Sequence, residues 1–215
     1  MQKKEEIIEN FKTALKSTVR SISNKNNIEV NFGGQSVSVE KNTINLPEID
    51  QYQNKINFSK ARALADSESL KLKFSDDRIY KNFEPKGANA KKLYGIAEKI
   101  RYETLGTSEY KGIKENLSNF YSQRNLDQNA KNQIFEAFEN YLLNEFLKIK
   151  ETRVKNETNK KYKRKFDKTF KSKLGEIKKS INDQKIYNST ISELIQDLEI
   201  NDLEDYEDLE NKKEN

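Results

Sequence analysis

Several charged side chains recur at helical spacing between Arg62 and Leu117, and side chains of these types could take part in catalysis. Glu98, Arg101 and Glu103 could form a pair of acids with an activating arginine, the minimum set for proton transfer. The competing interpretation is a structural ion pair, because Glu98 and Arg101 are spaced i to i+3 and meet on one helix face. We favour the ion pair, since buried arginines are normally paired. A partner-binding surface is the next alternative.

Several side chains that many enzymes require are missing from the chain. It contains no cysteine, no histidine and no tryptophan. A Ser-His-Asp triad, a cysteine nucleophile, a structural zinc site and a histidine-ligated catalytic metal are therefore excluded. Carboxylate, lysine or tyrosine chemistry remains open.

Nucleotide-binding loops are also missing. Neither G-x-x-x-x-G-K-[ST] nor G-x-G-x-x-G occurs, and the Gly33-Gly34 pair is too short to cradle a phosphate. Because the backbone cradle and its lysine are both lacking, the chain should not hydrolyse ATP alone. We assign no catalytic, cofactor-binding or metal-binding residue and expect no activity from this chain by itself.

The composition favours a mainly α fold with several helices. Of 215 residues, 33% are hydrophobic and 35% are charged, a balance that suits amphipathic helices with a modest shared core. The two prolines and seven glycines argue against a large all-β fold. We predict one helical domain over residues 1–200 and an acidic, disordered linker or tail over residues 201–215.

Apolar periodicity and turn residues divide the predicted domain into elements. An opening helix is predicted from about Lys3 to Ser23, ending at an Asn-rich turn. Short β-branched runs over about 28–46 predict a small hairpin or a three-stranded meander. Four further helices are predicted in the middle of the chain: Lys55 to about Phe74, a short helix capped by Ser75-Asp76-Asp77 and running through Phe83, Leu93 to Gly106, and Ile113 to Tyr121. The core helix is predicted to start at Asp127. It is followed by an apolar ladder from Tyr162 to Ile181 and a last helix over Ile191 to Leu198.

The N-terminal segment bears on localisation. Its apolar residues fall at helical spacing rather than in a continuous apolar run, so it is neither a signal peptide nor a membrane span. We therefore expect a cytoplasmic protein without a membrane partner.

Charge is segregated towards the C-terminus. Residues 148–185 carry fifteen Lys or Arg against five Asp or Glu, whereas residues 193–210 carry nine acids and no base. A basic helix with aromatic residues could bind nucleic acid, since cations displace phosphate counterions and rings stack on bases. However, Tyr162, Phe166 and Phe170 recur every fourth residue, which favours rings in the core and lysines on a solvated face. Nucleic acid is therefore the less favoured partner.

The order of several motifs between Arg62 and Leu117 resembles the amino-terminal domain of the CobT family, a cobaltochelatase subunit of aerobic cobalamin biosynthesis. That family shows R-G-x-A-D-x-x-A-L-R-L followed by H-D, a P-x-G turn, then E-x-A-R-x-E-A-x-G and G-V-x-x-N-L. The matching residues here are Arg62, Ala65-Asp66, Leu70, Leu72, Asp76, Pro85, Gly87, Glu98, Arg101, Glu103, Gly106, Gly112 and Asn116-Leu117.

The resemblance implies a non-catalytic subunit of an ATP-dependent chelatase that inserts cobalt into a corrin ring. A partner AAA+ ATPase subunit and a large chelatase subunit would handle ATP, magnesium and cobalt, and the resemblance also allows a homo-oligomer within a ring complex. The partner-binding candidates that it implies are Arg62, Asp66, Glu98, Arg101, Glu103 and Asn116.

The chain departs from the family pattern in two ways. Two family histidines fall at Ser75 and Tyr80, and the family glycine after the arginine is Ala63. The family's C-terminal von Willebrand factor A domain is absent, so we expect either a fragment or a short, divergent relative. Two other functions stay open: a basic nucleic-acid-binding protein, and an adaptor for another AAA+ ATPase that acts on protein substrates.

Overall fold

The computed structural model describes residues 2–34, 37–40, 42–52, 55–123, 133–149 and 156–198, and it confirms the predicted mainly helical fold. The chain forms two compact units, one from Met1–Ser75 with Tyr102–Arg124 and one from Asp76–Arg101 with Asn125–Asn215. The predicted acidic tail and the predicted helix start at Asp127 lie outside the described residues.

The elements of the first unit follow one another along the chain. They are α1 (Gln2–Ser23), β1 (Glu29–Gly34), β2 (Ser38–Glu40), β3 (Thr43–Pro47), β4 (Asp50–Tyr52), β5 (Lys55–Asn57) and α2 (Phe58–Phe74). After α3 (Asp77–Phe83) in the second unit, α4 (Ala88–Glu109) contributes its beginning to the second unit and its end to the first, and α5 (Lys111–Gln123) completes the first unit.

The opening helix forms as its periodicity predicts. Leu15 and Val19 on one face of α1 are almost fully buried, and they belong to a core that β1, β3 and α2 share. Phe11 stacks on Phe58 of α2 with ring centroids 4.2 Å apart. The helix ends before Asn24, whose φ of 55° is the left-handed conformation that asparagine tolerates at a helix C-terminus.

The strands contain the predicted hairpin but not a meander. β2 and β3 pair antiparallel as a hairpin, whereas β1 pairs with β3 in parallel, which gives the order β1-β3-β2. This order lets Val30, Ile44 and Leu46 face the core side by side. The prediction of a helix starting at Lys55 is wrong over three residues, because Lys55–Asn57 is the strand β5, paired with β4.

Gly106 does not end a helix, contrary to the prediction. α4 continues through it to Glu109. The glycine is there for packing, because a Cβ on Gly106 would come within 2.3 Å of both methyl carbons of Leu70, whose side chain is fully buried on α2. Gly106 therefore permits α4 and α2 to approach closely.

Substituting Gly106 should test this close approach. We expect Gly106→Ala to lower the free energy of unfolding by about 1–3 kcal/mol, because the added methyl overpacks against Leu70. Gly112→Ala on α5 is the matched control, since a Cβ there meets nothing within 4 Å. The control should leave stability unchanged or slightly raised. Urea unfolding of both variants measures the difference, and equal effects would refute the packing role.

The described part of the second unit is built from helices. After α3 and the start of α4 come α6 (Gln133–Leu142), a π-helical turn (Leu143–Leu147), α7 (Asn156–Phe170), α8 (Leu174–Lys179) and α9 (Gln184–Gln196). The predicted cap is confirmed, because the Asp76 carboxylate accepts the Arg78 backbone N–H at 2.8 Å at the start of α3. The Arg78 side chain and this backbone bond lower the pKa of Asp76 to about 2.

The predicted core helix and aromatic ladder are found with one change. Phe138 on α6 is fully buried, and its ring lies 5.3 Å from Phe166 and 5.5 Å from Phe170 on α7. The ladder from Tyr162 to Ile181 is not one helix, because the chain turns after Phe170 and starts again as α8. Apolar spacing runs across this turn because both helices face the same core.

Candidate functional site

Arg62, Asp66 and Asn116 form one polar cluster in the first unit. α2 places Arg62 and Asp66 one turn apart, and α5 brings Asn116 to the same carboxylate. The Asn116 Nδ2 donates to Asp66 Oδ2 at 2.6 Å, and the Arg62 Nε donates to the same oxygen at 3.3 Å while lying 3.1 Å from Oδ1. Asp66 is fully buried, whereas the Arg62 side chain is 36% exposed.

Burial dominates the electrostatics of this cluster. Loss of water around the carboxyl group raises the pKa of Asp66 above 3.8, and the hydrogen bond from Asn116 and the charge of Arg62 only partly lower it again. Asp66 therefore joins α2 to α5, but burying its charged carboxylate is energetically unfavourable.

Glu103 is a second buried carboxylate of the first unit, and three helices meet at it. Ser67 on α2 donates to Glu103 Oε1 at 2.6 Å, and Tyr121 on α5 donates to Oε2 at 2.7 Å. Glu103 itself is fully buried on α4. Its carboxylate thus fixes the spacing of α2, α4 and α5.

Glu98 and Arg101 form the predicted ion pair within the second unit. The Arg101 Nε donates to Glu98 Oε2 at 2.9 Å and Nη2 donates to Oε1 at 2.8 Å, so the ion pair is bidentate. Arg101 is only 1% exposed, and its Nη1 donates to the Ile181 carbonyl at 3.3 Å. The pair is structural, as its i to i+3 spacing indicated.

Gln184 is a member of this second network that sequence reasoning missed. Its Nε2 donates to Glu98 Oε1 at 3.1 Å and to the Asp76 carbonyl at 3.2 Å, while its Oε1 accepts the Asp76 N–H at 2.8 Å. It therefore joins α9 to α4 and to the start of α3. No spacing rule could have revealed this, because Gln184 lies far along the chain from both partners.

The tyrosine and lysine chemistry that the composition left open is disfavoured at Tyr80, Tyr187 and Lys73. Burial and nearby carboxylates raise the pKa of Tyr80 to about 12 and raise the pKa of Tyr187 further, so both stay protonated. Partial burial lowers the pKa of Lys73, but its hydrogen bonds to Glu109 and Tyr110 outweigh this and raise it. A lysine base or nucleophile needs the opposite shift.

An open cleft of about 420 Å³ lies beside Arg62 in the first unit. Sequence reasoning missed it, because its hydroxyl-bearing residues lie on the side of α1 that apolar periodicity ignores. The spacing of Ser17, Thr18 and Ser21 was the available signal. The lining residues are Ser17, Thr18, Ser21 and Ile22 of α1, Arg62 of α2, and Tyr110, Gly112 and Ile113 around the start of α5.

The basic helix has the predicted orientation. Phe166 and Phe170 of α7 are fully buried, whereas Lys163, Arg164 and Lys165 are exposed. The two buried rings cannot stack on bases. A nucleic acid at this face would contact the described part of α7 mainly through phosphate.

Among the described residues, no group of three or more acidic side chains is placed to hold a metal ion. None of the described helices is long and apolar enough to cross a membrane. The fold and the site together define a helical scaffold in which the predicted acids and arginines mainly hold its own helices.

The comparison with known families fits such a scaffold. The chain belongs to the family of the cobalamin biosynthesis protein CobT, whose family model matches residues 5–215. The sequence resemblance is thereby confirmed. Family membership suggests a subunit of a cobaltochelatase complex in cobalamin biosynthesis. No solved structure matches the chain.

Removing Glu98 should show the cost of burying the Arg101 charge without its carboxylate. We expect Glu98→Ala to lower the free energy of unfolding by about 3–5 kcal/mol, because Arg101 then stays buried without its partner. Glu176→Ala is the control, since Lys173 and Glu176 have the same i to i+3 spacing but side chains 52% and 56% exposed. The control should change stability by about 1 kcal/mol or less. Similar losses in both variants of a urea unfolding series would contradict the structural role.

The buried charge of Asp66 should give a pH dependence. Because its pKa is raised in the folded chain, its contribution to stability is fully present below pH 3.8 and is lost as pH rises through the folded-state pKa. We therefore expect the stability of the wild type relative to Asp66→Asn to increase as pH falls from 7 towards 4. Urea unfolding across that range measures the difference. A constant difference, or one that shifts in favour of the variant as pH falls, would rule out the burial effect.

Proposed function

We propose that this chain is a non-catalytic subunit of an ATP-dependent cobaltochelatase, and that it couples a partner AAA+ ATPase to cobalt insertion into a corrin ring. The observation that supports this most is the family match over residues 5–215. Partner subunits would handle ATP, magnesium and cobalt, and a large chelatase subunit would hold the macrocycle.

The environment of the polar residues fits a non-catalytic role. The sequence carries no nucleotide loop, and its Asp66 and Glu103 carboxylates accept hydrogen bonds from neighbouring helices. Such groups stabilise a fold and are poorly placed to reach a substrate. Chemistry on ATP or on the metal would therefore fall to the partners.

A conformational mechanism follows from the way the helices of the first unit are joined. The hydrogen bond from Asn116 to Asp66 joins α5 to α2. The hydrogen bonds that Glu103 accepts from Ser67 and Tyr121 join α4 to α2 and to α5. A partner that displaces α5 would have to move α2 with it or break buried hydrogen bonds. This linkage gives the ATPase a route for relaying its nucleotide state.

The six partner-binding candidates divide by exposure. Asp66, Glu98, Arg101 and Glu103 are buried and would act by positioning helices, whereas Arg62 and Asn116 are partly exposed and could touch a partner directly. Their partner-binding role stays a prediction.

The two alternative functions receive less support. Nucleic-acid binding would have to rely on the exposed lysines of α7 and α8, because the Phe166 and Phe170 rings are buried. An adaptor for another AAA+ ATPase would share the same coupling helices, but the family match favours cobalamin biosynthesis.

Reconstitution with single omissions tests the proposal. We expect this chain alone to hydrolyse no ATP and to insert no cobalt. Mixed with the AAA+ subunit and the large subunit of the same host, it should restore cobalt insertion, measured by the absorbance change of the corrin. Leaving this chain out should abolish insertion while the AAA+ subunit still hydrolyses ATP.

Two results would overturn the proposal. Cobalt insertion or ATP hydrolysis by the isolated chain would show that it makes bonds itself. Full insertion without it would show that it couples nothing. If it stimulates an ATPase on a protein substrate and leaves cobalt insertion unchanged, the adaptor function would replace the proposed one.

A further inference from the structure

The open cleft beside Arg62 is large enough to hold a small molecule. Its volume of about 420 Å³ lies in the range of pockets that hold small molecules, about 300–1,000 Å³. It lies within the first unit, between the second half of α1 and the start of α5. Its one charged lining residue among those described is Arg62.

Arg62 contacts Asp66 through its Nε, and this contact leaves the terminal nitrogens of the guanidinium available. The Nε donates to Asp66 on the next helical turn. The two terminal η nitrogens make no hydrogen bond to any residue that the structure describes, and they belong to a side chain that is 36% exposed. A guanidinium in this state presents paired donors that match a carboxylate.

The other lining residues indicate the polarity of the rest of the ligand. Ile22 and Ile113 supply apolar surface. The Ser17 and Thr18 hydroxyls already donate to backbone carbonyls of α1, so they offer acceptor lone pairs, whereas the Ser21 hydroxyl makes no hydrogen bond to a described residue and can donate. One guanidinium beside apolar surface suits a ligand with one anionic group and an apolar body.

Charge balance narrows the class of anion. Because Asp66 offsets the charge of Arg62, the site cannot compensate the large hydration that a dianion such as phosphate loses on entering, whereas a monoanion loses less. A planar carboxylate needs only the directed donors of the η nitrogens. We propose that this cleft binds a small organic monocarboxylate through the Arg62 guanidinium, and this inference does not depend on the chelatase role.

Titration with sodium benzoate tests the proposal on the full chain. The readout is the set of backbone amide resonances, in which those of Ser21 and Gly112 should shift and saturate. The neutral isostere benzamide should produce no saturable shift at these residues. Arg62→Lys keeps a cation near Asp66 but loses the fork, so we expect affinity to fall at least about tenfold.

Two further variants separate binding from folding. Arg78→Lys is the matched control, because Arg78 also pairs with an aspartate, Asp76, through Nε and Nη2, yet lies outside the cleft. It should bind benzoate like the wild type. Gly112→Leu places a side chain at the cleft wall where a Cβ meets nothing within 4 Å, so it should fold normally and bind more weakly.

Each outcome bears on the proposal. Saturable binding that Arg62→Lys weakens and Arg78→Lys preserves supports it. Absence of saturable binding in the wild type, equal affinity in Arg62→Lys, or binding of inorganic phosphate at least as tight as benzoate overturns it.

Discussion

The structure depends on how its buried carboxylates are satisfied. Asp66, Glu98 and Glu103 are each at most 4% exposed, and an unmatched charge at such a position costs about 3–5 kcal/mol. Each carboxylate accepts hydrogen bonds from a helix other than its own. The requirement for these donors fixes which helices are neighbours within each unit, beyond what apolar packing alone would specify.

The same requirement explains why charged residues that look catalytic in the sequence hold the fold together. A buried carboxylate that accepts hydrogen bonds from neighbouring helices stabilises their packing and cannot reach a substrate. In the first unit, Glu103 joins α2, α4 and α5 through Ser67 and Tyr121. The helices so joined are the elements that a coupling subunit would use to pass a movement from one surface to another.

Much of the fold could be predicted from the sequence because its signals are local. The apolar spacing of α1 and the cap at Asp76 depend on neighbours within a few residues, and both predictions were confirmed. The i to i+3 pair of Glu98 and Arg101 is local for the same reason. The mainly helical class followed from these patterns together.

What could not be predicted depends on contacts between distant parts of the chain. The parallel pairing of β1 with β3 is set by a shared core and not by a turn, so the strands could not be ordered from their turns. Gly106 was assigned to a helix end because glycine commonly ends helices, but the cause is the buried Leu70 on another helix. Gln184 and the cleft beside Arg62 likewise exist only once the helices pack.

In the proposed coupling role, this chain responds to the nucleotide state of a partner by moving joined helices. The most direct test is amide hydrogen exchange of this chain in the complex with the AAA+ and large subunits, with ATP or ADP on the ATPase. If the coupling operates, protection of α2 and α5 should change together between the two nucleotides, because Asp66 and Glu103 join these helices. Identical protection of both helices in the two nucleotide states would contradict it.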